Sequence, residues 1–144
     1  MNMSHKLCSY LFASAMAGAF VPIAAHAQSG LLTRPIDVGP ITLSSGAPLV
    51  GAPIEVETGK QYKLTIVADG TAELAINGPE FFRNVWINEI VINDIEVRPL
   101  GLDSIEFDAA GEVEMTFVPI RPGTFVVKIP GTDSETQSAT INVK

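Results

Sequence analysis

The chain has 144 residues, 47% of them apolar, and a formal charge of −7 from sixteen acids against nine basic residues. That length suits one domain with a core of its own. The acidic balance argues against nucleic acid and anionic membranes as partners; it is compatible with cations or a basic protein, and equally with solubility alone.

Residues 1–27 read as a secretory signal peptide. His5 and Lys6 sit in a short polar start, Leu11–Ala25 is apolar and rich in small residues, and Ala25-His26-Ala27 matches the small-x-small cleavage pattern, with cleavage expected after Ala27. The alternative, a membrane anchor, is weakened by Ser14 and Pro22 inside the run, which is short against the roughly 20 residues a span needs. Cys8 precedes the apolar run and is badly placed for a lipid-modified cysteine. No second apolar span follows, so the mature protein is expected to be periplasmic or secreted and free of a membrane span.

Removing this segment changes the chemistry available. Both histidines, His5 and His26, the single cysteine Cys8 and all methionines except Met115 lie in it. It takes one basic residue, Lys6, and no acid, so the formal charge moves from −7 to −8. The mature chain has no cysteine with which to form an internal disulfide, although export permits one.

Residues 28–39 are expected to be a flexible lead-in to a domain spanning 40–144. Ile41-Thr42-Leu43 predicts a short strand. Ile54 and Val56 alternate with Glu55 and Glu57, Thr58-Gly59-Lys60 turns, and Tyr62, Leu64, Ile66 and Ala68 share the next inward face, a strand–turn–strand pattern. Asp69-Gly70 ends it, and Leu74 and Ile76 are inward in another short strand that Asn77-Gly78-Pro79 breaks. The stretch 79–93 lacks clean alternation: Phe82, Trp86 and Ile90 permit a short helix, whereas Val85–Ile87 and Ile90–Ile92 permit strands. The reading is a turn or two of helix near 79–90, then strand. Ile95 and Val97, and then Ile105 and Phe107, predict inward faces of two further strands. Finally, Val113, Met115 and Phe117 alternate with Glu112, Glu114 and Thr116. After Pro119 and Pro122-Gly123, Phe125, Val127 and Ile129 alternate in turn. About seven to eight short strands with turns every 8–12 residues predict an all-β Greek-key sandwich.

The stretch 112–131, with x-V-x-M-T-F-V-P, R-P-G-T-F and V-V-K-I-P-G, resembles the last third of a cupredoxin, the small blue-copper β-sandwich, and residues 53–69 resemble that family's early hairpin. The resemblance covers roughly 40–144, and an Ig-like sandwich of another family is the fold alternative. It implies a last strand at Gln137–Val143, with Ala139, Ile141 and Val143 inward. It also implies a copper-ligand cysteine near Ile129, a loop at Pro130–Thr136 bearing His and Met, and an upstream His near Glu73 or Ala75. None of these positions holds such a residue. Blue copper needs a thiolate and two imidazoles, so no copper cofactor is expected. The same inventory leaves no Ser-His-Asp triad, cysteine nucleophile or conventional zinc site, and a non-enzyme is expected.

Two features remain. Glu55/Glu57, Glu106/Asp108 and Glu112/Glu114 each project from one outward strand face; where two such strands adjoin, carboxylates converge on a hard cation such as calcium, and otherwise they form a solvated face. Phe81, Phe82 and Trp86, with Arg83 beside them, form either a partner-binding patch or one end of the core. The leading expectation is a non-catalytic binding or accessory module that contacts a protein partner or small ligand through Phe81–Trp86. The alternative is a carboxylate-based, calcium-type periplasmic protein. A carboxylate-only hydrolase has no marked pair of acids in a cleft.

Overall fold

A computed structural model of the protein describes residues 33–144. The expected signal peptide, with His5, Cys8 and His26, lies outside the described residues. The element order is β1 (Ile36–Leu43), β2 (Ile54–Val56), β3 (Tyr62–Ala68), β4 (Leu74–Asn77), α1 (Pro79–Phe82), β5 (Val85–Ile92), β6 (Ile95–Val97), β7 (Ser104–Phe107), β8 (Gly111–Pro119), β9 (Gly123–Lys128) and β10 (Ser138–Val143). The short edge strands β2 and β6, three residues each, bring the number above the seven or eight expected. β1 begins inside the stretch expected to be a flexible lead-in, because Ile36, Asp37 and Val38 pair with Tyr62, Lys63 and Leu64.

Two mixed five-stranded sheets face each other, one ordered β1-β3-β8-β5-β6 and the other β2-β10-β9-β4-β7. Pairing is antiparallel except for β1 with β3 and β2 with β10. Alternation does what period two demands. Tyr62, Leu64, Ile66 and Ala68 are buried from one sheet, as are Val113, Met115 and Phe117 beside them, and Val127, Ala139, Ile141 and Val143 meet them from the other.

Two turns join sheets where the sequence reads as joining neighbours. β2 and β3 flank Thr58-Gly59-Lys60, yet β2 belongs to one sheet and β3 to the other, so the expected hairpin is an arch across the sandwich. β8 and β9, on either side of Pro119–Gly123, likewise lie at the centres of opposite sheets. A true hairpin sits instead at β5–β6. Asn93 and Asp94 both take positive φ, 48° and 64°, the conformation of a two-residue hairpin turn, and Ile92 pairs with Ile95 across it.

The stretch 79–93 resolves into both of its permitted readings in series. Pro79 starts the single turn of α1, where its missing N–H costs nothing, and Val85 opens β5. Gly78 precedes α1 with its backbone against Val127, where a Cβ would collide with the valine side chain.

Candidate functional site

The four residues expected to bind a partner divide between core and surface. Phe81 is completely buried and Phe82 nearly so. Phe81 stacks edge-on against Phe117, with ring centroids 5.4 Å apart, and packs on Phe82 and Phe125 at 5.6 and 6.2 Å. Phe117 in turn meets Tyr62 at 5.9 Å, whose hydroxyl accepts the Glu57 N–H at 2.9 Å. These rings close the core, and Phe81 is removed from any binding patch because no part of it reaches solvent. Arg83 is exposed and pairs with Glu80 at 3.1 Å on its own helical turn. Trp86 alone of the three aromatics stands out, 44% exposed on the outer face of β5.

The residues missed by sequence reasoning lie further along β5 and on β6. Ile95 and Val97, expected inward, are 65% and 43% exposed. They do face the same side as Ile90, with which Val97 pairs, but among the described residues β6 is the outermost strand of its sheet and no strand opposite covers it. Ile92 and Leu100 are exposed as well. Five of the eight large apolar side chains exposed among the described residues therefore belong to β5, β6 and the loop after β6, which makes this edge, and not the Phe81–Phe82 core, the candidate contact surface. A cleft of about 220 Å³ lies between Phe82, Val85, Trp86 and Ile87 on one wall and Pro99–Gly101 on the other. A second, of about 230 Å³, opens between the β5–β6 turn at Ile92-Asn93 and the segment Ile105–Val113. The signal in the sequence was Asn93-Asp94, a turn dipeptide between apolar residues that marks β6 as a hairpin arm.

The strands carrying the three carboxylate pairs do not adjoin one another: β2 neighbours β10, β7 neighbours β4, and β8 lies between β3 and β5. Glu55 is held by Lys144 at 2.8 Å and by Asn142 at 2.6 Å, and these contacts, the lysine first, lower its pKa from 4.5. Glu57 pairs with Lys60 at 2.8 Å, and the bond raises the pKa of that lysine. Glu114 and Asp37 hold Lys63 at 3.0 and 3.2 Å and raise it likewise. The one convergence among the described residues includes an acid that spacing does not reveal: Glu73 joins Glu106 and Asp108, with carboxylate oxygens within 4.8 Å of one another, all three residues exposed. The Leu74–Phe107 register, which sets Glu73 opposite Asp108, produces it.

At the positions where the resemblance implies copper ligands, Ile129 is a buried core side chain, Ala75 is half-buried and Glu73 is exposed. The loop 130–136 is closed on itself by hydroxyls, with Thr132 Oγ1 accepting the Ser134 N–H at 3.1 Å and Ser134 Oγ 2.8 Å from Thr136 Oγ1. It offers no thiolate or imidazole, and residues 33–144 contain no His or Cys at all. A type 1 copper ion does not fit this donor set.

These strand orders and this end of the sheets define a cupredoxin-like β-sandwich without the copper ligands. Among solved structures it is similar to a multicopper oxidase from Campylobacter jejuni, a metallo-oxidase, with a TM-score of 0.53 and 10% identity over 78% of this chain and 31% of that one. It is also similar to a copper nitrite reductase from Nitrosomonas europaea, with a TM-score of 0.50 and 12% identity over 67% of this chain and 33% of the other. The chain thus spans about a third of the length of each of these proteins. No protein-family model matches it, and no curated protein sequence does. No helix among the described residues is long and apolar enough to cross a membrane.

Proposed function

We propose that the protein is an exported, non-catalytic docking module built on a cupredoxin-like scaffold, which binds a protein partner through the edge formed by β5, β6 and the following loop. The supporting observation is that exposed Trp86, Ile92, Ile95, Val97 and Leu100 all belong to β5, β6 and the loop after β6, Trp86 on the outer face and Ile92, Ile95 and Val97 on the inner one. Apolar side chains left in water cost free energy that a partner recovers by covering them. The export reading rests on the charge, apolar run and cleavage pattern of residues 1–27.

Native mass spectrometry of the protein from its host envelope tests this reading. It is expected to give the mass of a chain beginning at Gln28 together with a stoichiometric protein adduct that disappears in Trp86→Ala and Leu100→Ser. An adduct indifferent to both substitutions, or none, overturns the docking surface; a chain retaining residues 1–27 overturns the export.

A further inference from the structure

The distribution of charge on the fold identifies what this edge accepts. Residues 85–114 contain eight of the sixteen acids and one basic residue, Arg98; eight against one gives −7, out of −8 for a chain that has lost residues 1–27 and Lys6 with them. Those residues are β5 and β6 at the margin of one sheet, β7 at the margin of the other, and the start of the central strand β8, so the charge imbalance lies in the part of the fold that includes the apolar edge, with Glu89, Asp94 and Glu96 on the edge itself. Arg98 is already engaged by Glu89 and Glu96 at 3.2 and 3.3 Å. Asp94, Glu106, Asp108 and Glu112 enter no ion pair among the described residues.

The outer backbone of this edge has no strand partner among the described residues. Among the described residues β6 bonds to β5 alone. Across a two-residue turn, Ile92 and Ile95 form the hydrogen-bonded pair, so the N–H and C=O of the next residue, Glu96, point away from β5 toward the open side. A strand added there lays its side chains alternately on the two faces. On the inner face they meet Ile95, Val97 and Ile92; on the outer face they meet Glu96, with Glu89, Glu112 and Glu114 on the strands behind it.

From this we infer that the open edge of β6 receives an extended polypeptide segment in which apolar and basic residues alternate, added as a sixth strand to the β1-β3-β8-β5-β6 sheet. This deepens the docking reading above and rests on it. A second copy of the chain is the wrong occupant, because it would bring one strongly acidic edge against another.

The test uses three synthetic peptides of equal length, Lys-Val, Lys-Ser and Glu-Val repeats, titrated into the purified chain. Binding is read by calorimetry, because Trp86, the single tryptophan, pairs with Val118 on the outer face of β5, away from Ile95 and Val97. The Lys-Val peptide is expected to saturate the signal, with affinity falling about tenfold or more at ~1 M salt, where the screening length is about 3 Å. The Lys-Ser peptide should bind about tenfold more weakly and the Glu-Val peptide not at all. Ile95→Ser combined with Val97→Ser, both at exposed positions, should weaken Lys-Val binding about fivefold or more, while Val126→Ser, on the outer face of the other sheet, should leave it unchanged. Equal binding of Lys-Val and Lys-Ser overturns the inference by showing charge attraction alone, as does binding that ignores the β6 substitutions. No Lys-Val binding also overturns it and leaves the acids as guards against edge pairing. In that last case a native adduct lost in Trp86→Ala keeps the docking reading, whereas peptide binding without any native adduct removes the docking reading and keeps the edge chemistry.

Discussion

Phe81 and Phe117 meet edge to face, with centroids 5.4 Å apart and planes at 80°, across the interior of the sandwich. The contact ties the single helical turn after β4 to the central strand of the opposite sheet, and it defines Phe81 as a structural residue. Phe81→Ala is expected to cost ~3–5 kcal/mol, the range for removing a buried ring from a packed core. Urea unfolding measures it as a lower midpoint with an unchanged slope. Trp86→Ala, at a half-exposed site, should move the midpoint little, so the two aromatics separate stability from binding.

Gly78 is the second structural residue of this region. Its backbone lies against Val127, and a methyl group there must displace that buried side chain. Gly78→Ala is therefore expected to destabilise by ~1–3 kcal/mol, as overpacking does, despite the usual gain in removing a flexible glycine. A thermal midpoint equal to or above that of the parent would contradict the close approach.

Period-two alternation made the buried faces of β2, β3 and β8 legible, because each of these strands has one face on the core, and the family resemblance supplied that of β10. It could not disclose pairing. Glu55–Ala68 reads as a hairpin whether its strands bond to each other or arch between sheets. Nor could it disclose burial at the margin: Ile95 and Val97 occupy the inward face as expected, but whether the other sheet reaches that far depends on strand order. The absence of type 1 copper ligands from 33–144 was legible because it depends only on residue type: no thiolate or imidazole donor occurs there. Glu73 escaped because its neighbours come from the β4–β7 register.

Separate exposed ion pairs and hydrogen bonds elsewhere on the fold predict a pH dependence. Glu55 is lowered by hydrogen bonds from Lys144 and Asn142, and Asp69 is lowered by Ser44 and Thr71, the Thr71 N–H donating to its carboxylate at 2.8 Å. A carboxylate whose folded pKa is depressed contributes stability that is present above its unfolded value, near 4.5 and 3.8 here, and lost as pH falls through the folded value. Stability should therefore decline below about pH 4.5, and Asp69→Asn should flatten part of that decline. At the alkaline side, Lys63 and Lys144 are raised by Glu114 and Glu55 respectively, so their contribution is complete below 10.5 and drains as pH rises through the folded values. Urea midpoints across pH, compared with Asp69→Asn and Glu55→Gln, read both limbs; an acid limb identical in all three proteins would show that other groups set it.

The three-carboxylate cluster of Glu73, Glu106 and Asp108 gives the cation reading its sharpest test. Calcium sites take 6–8 oxygen ligands, and tight ones enclose the ion in a shaped loop. Here three exposed side chains on adjacent strands offer oxygens within 4.8 Å of one another, with solvent on the open side. Each must also give up hydration that three monodentate contacts replace only in part. Calorimetric titration is expected to show calcium binding no tighter than ~1 mM, the weak end of extracellular modules, with thermal stability unmoved by chelator. A dissociation constant below ~0.1 mM that is lost in Glu106→Gln and kept in Glu112→Gln would reverse this outcome and place the ion at the β4–β7 register. Binding lost equally in both variants would instead report the diffuse field of the acidic edge, which screening by salt abolishes.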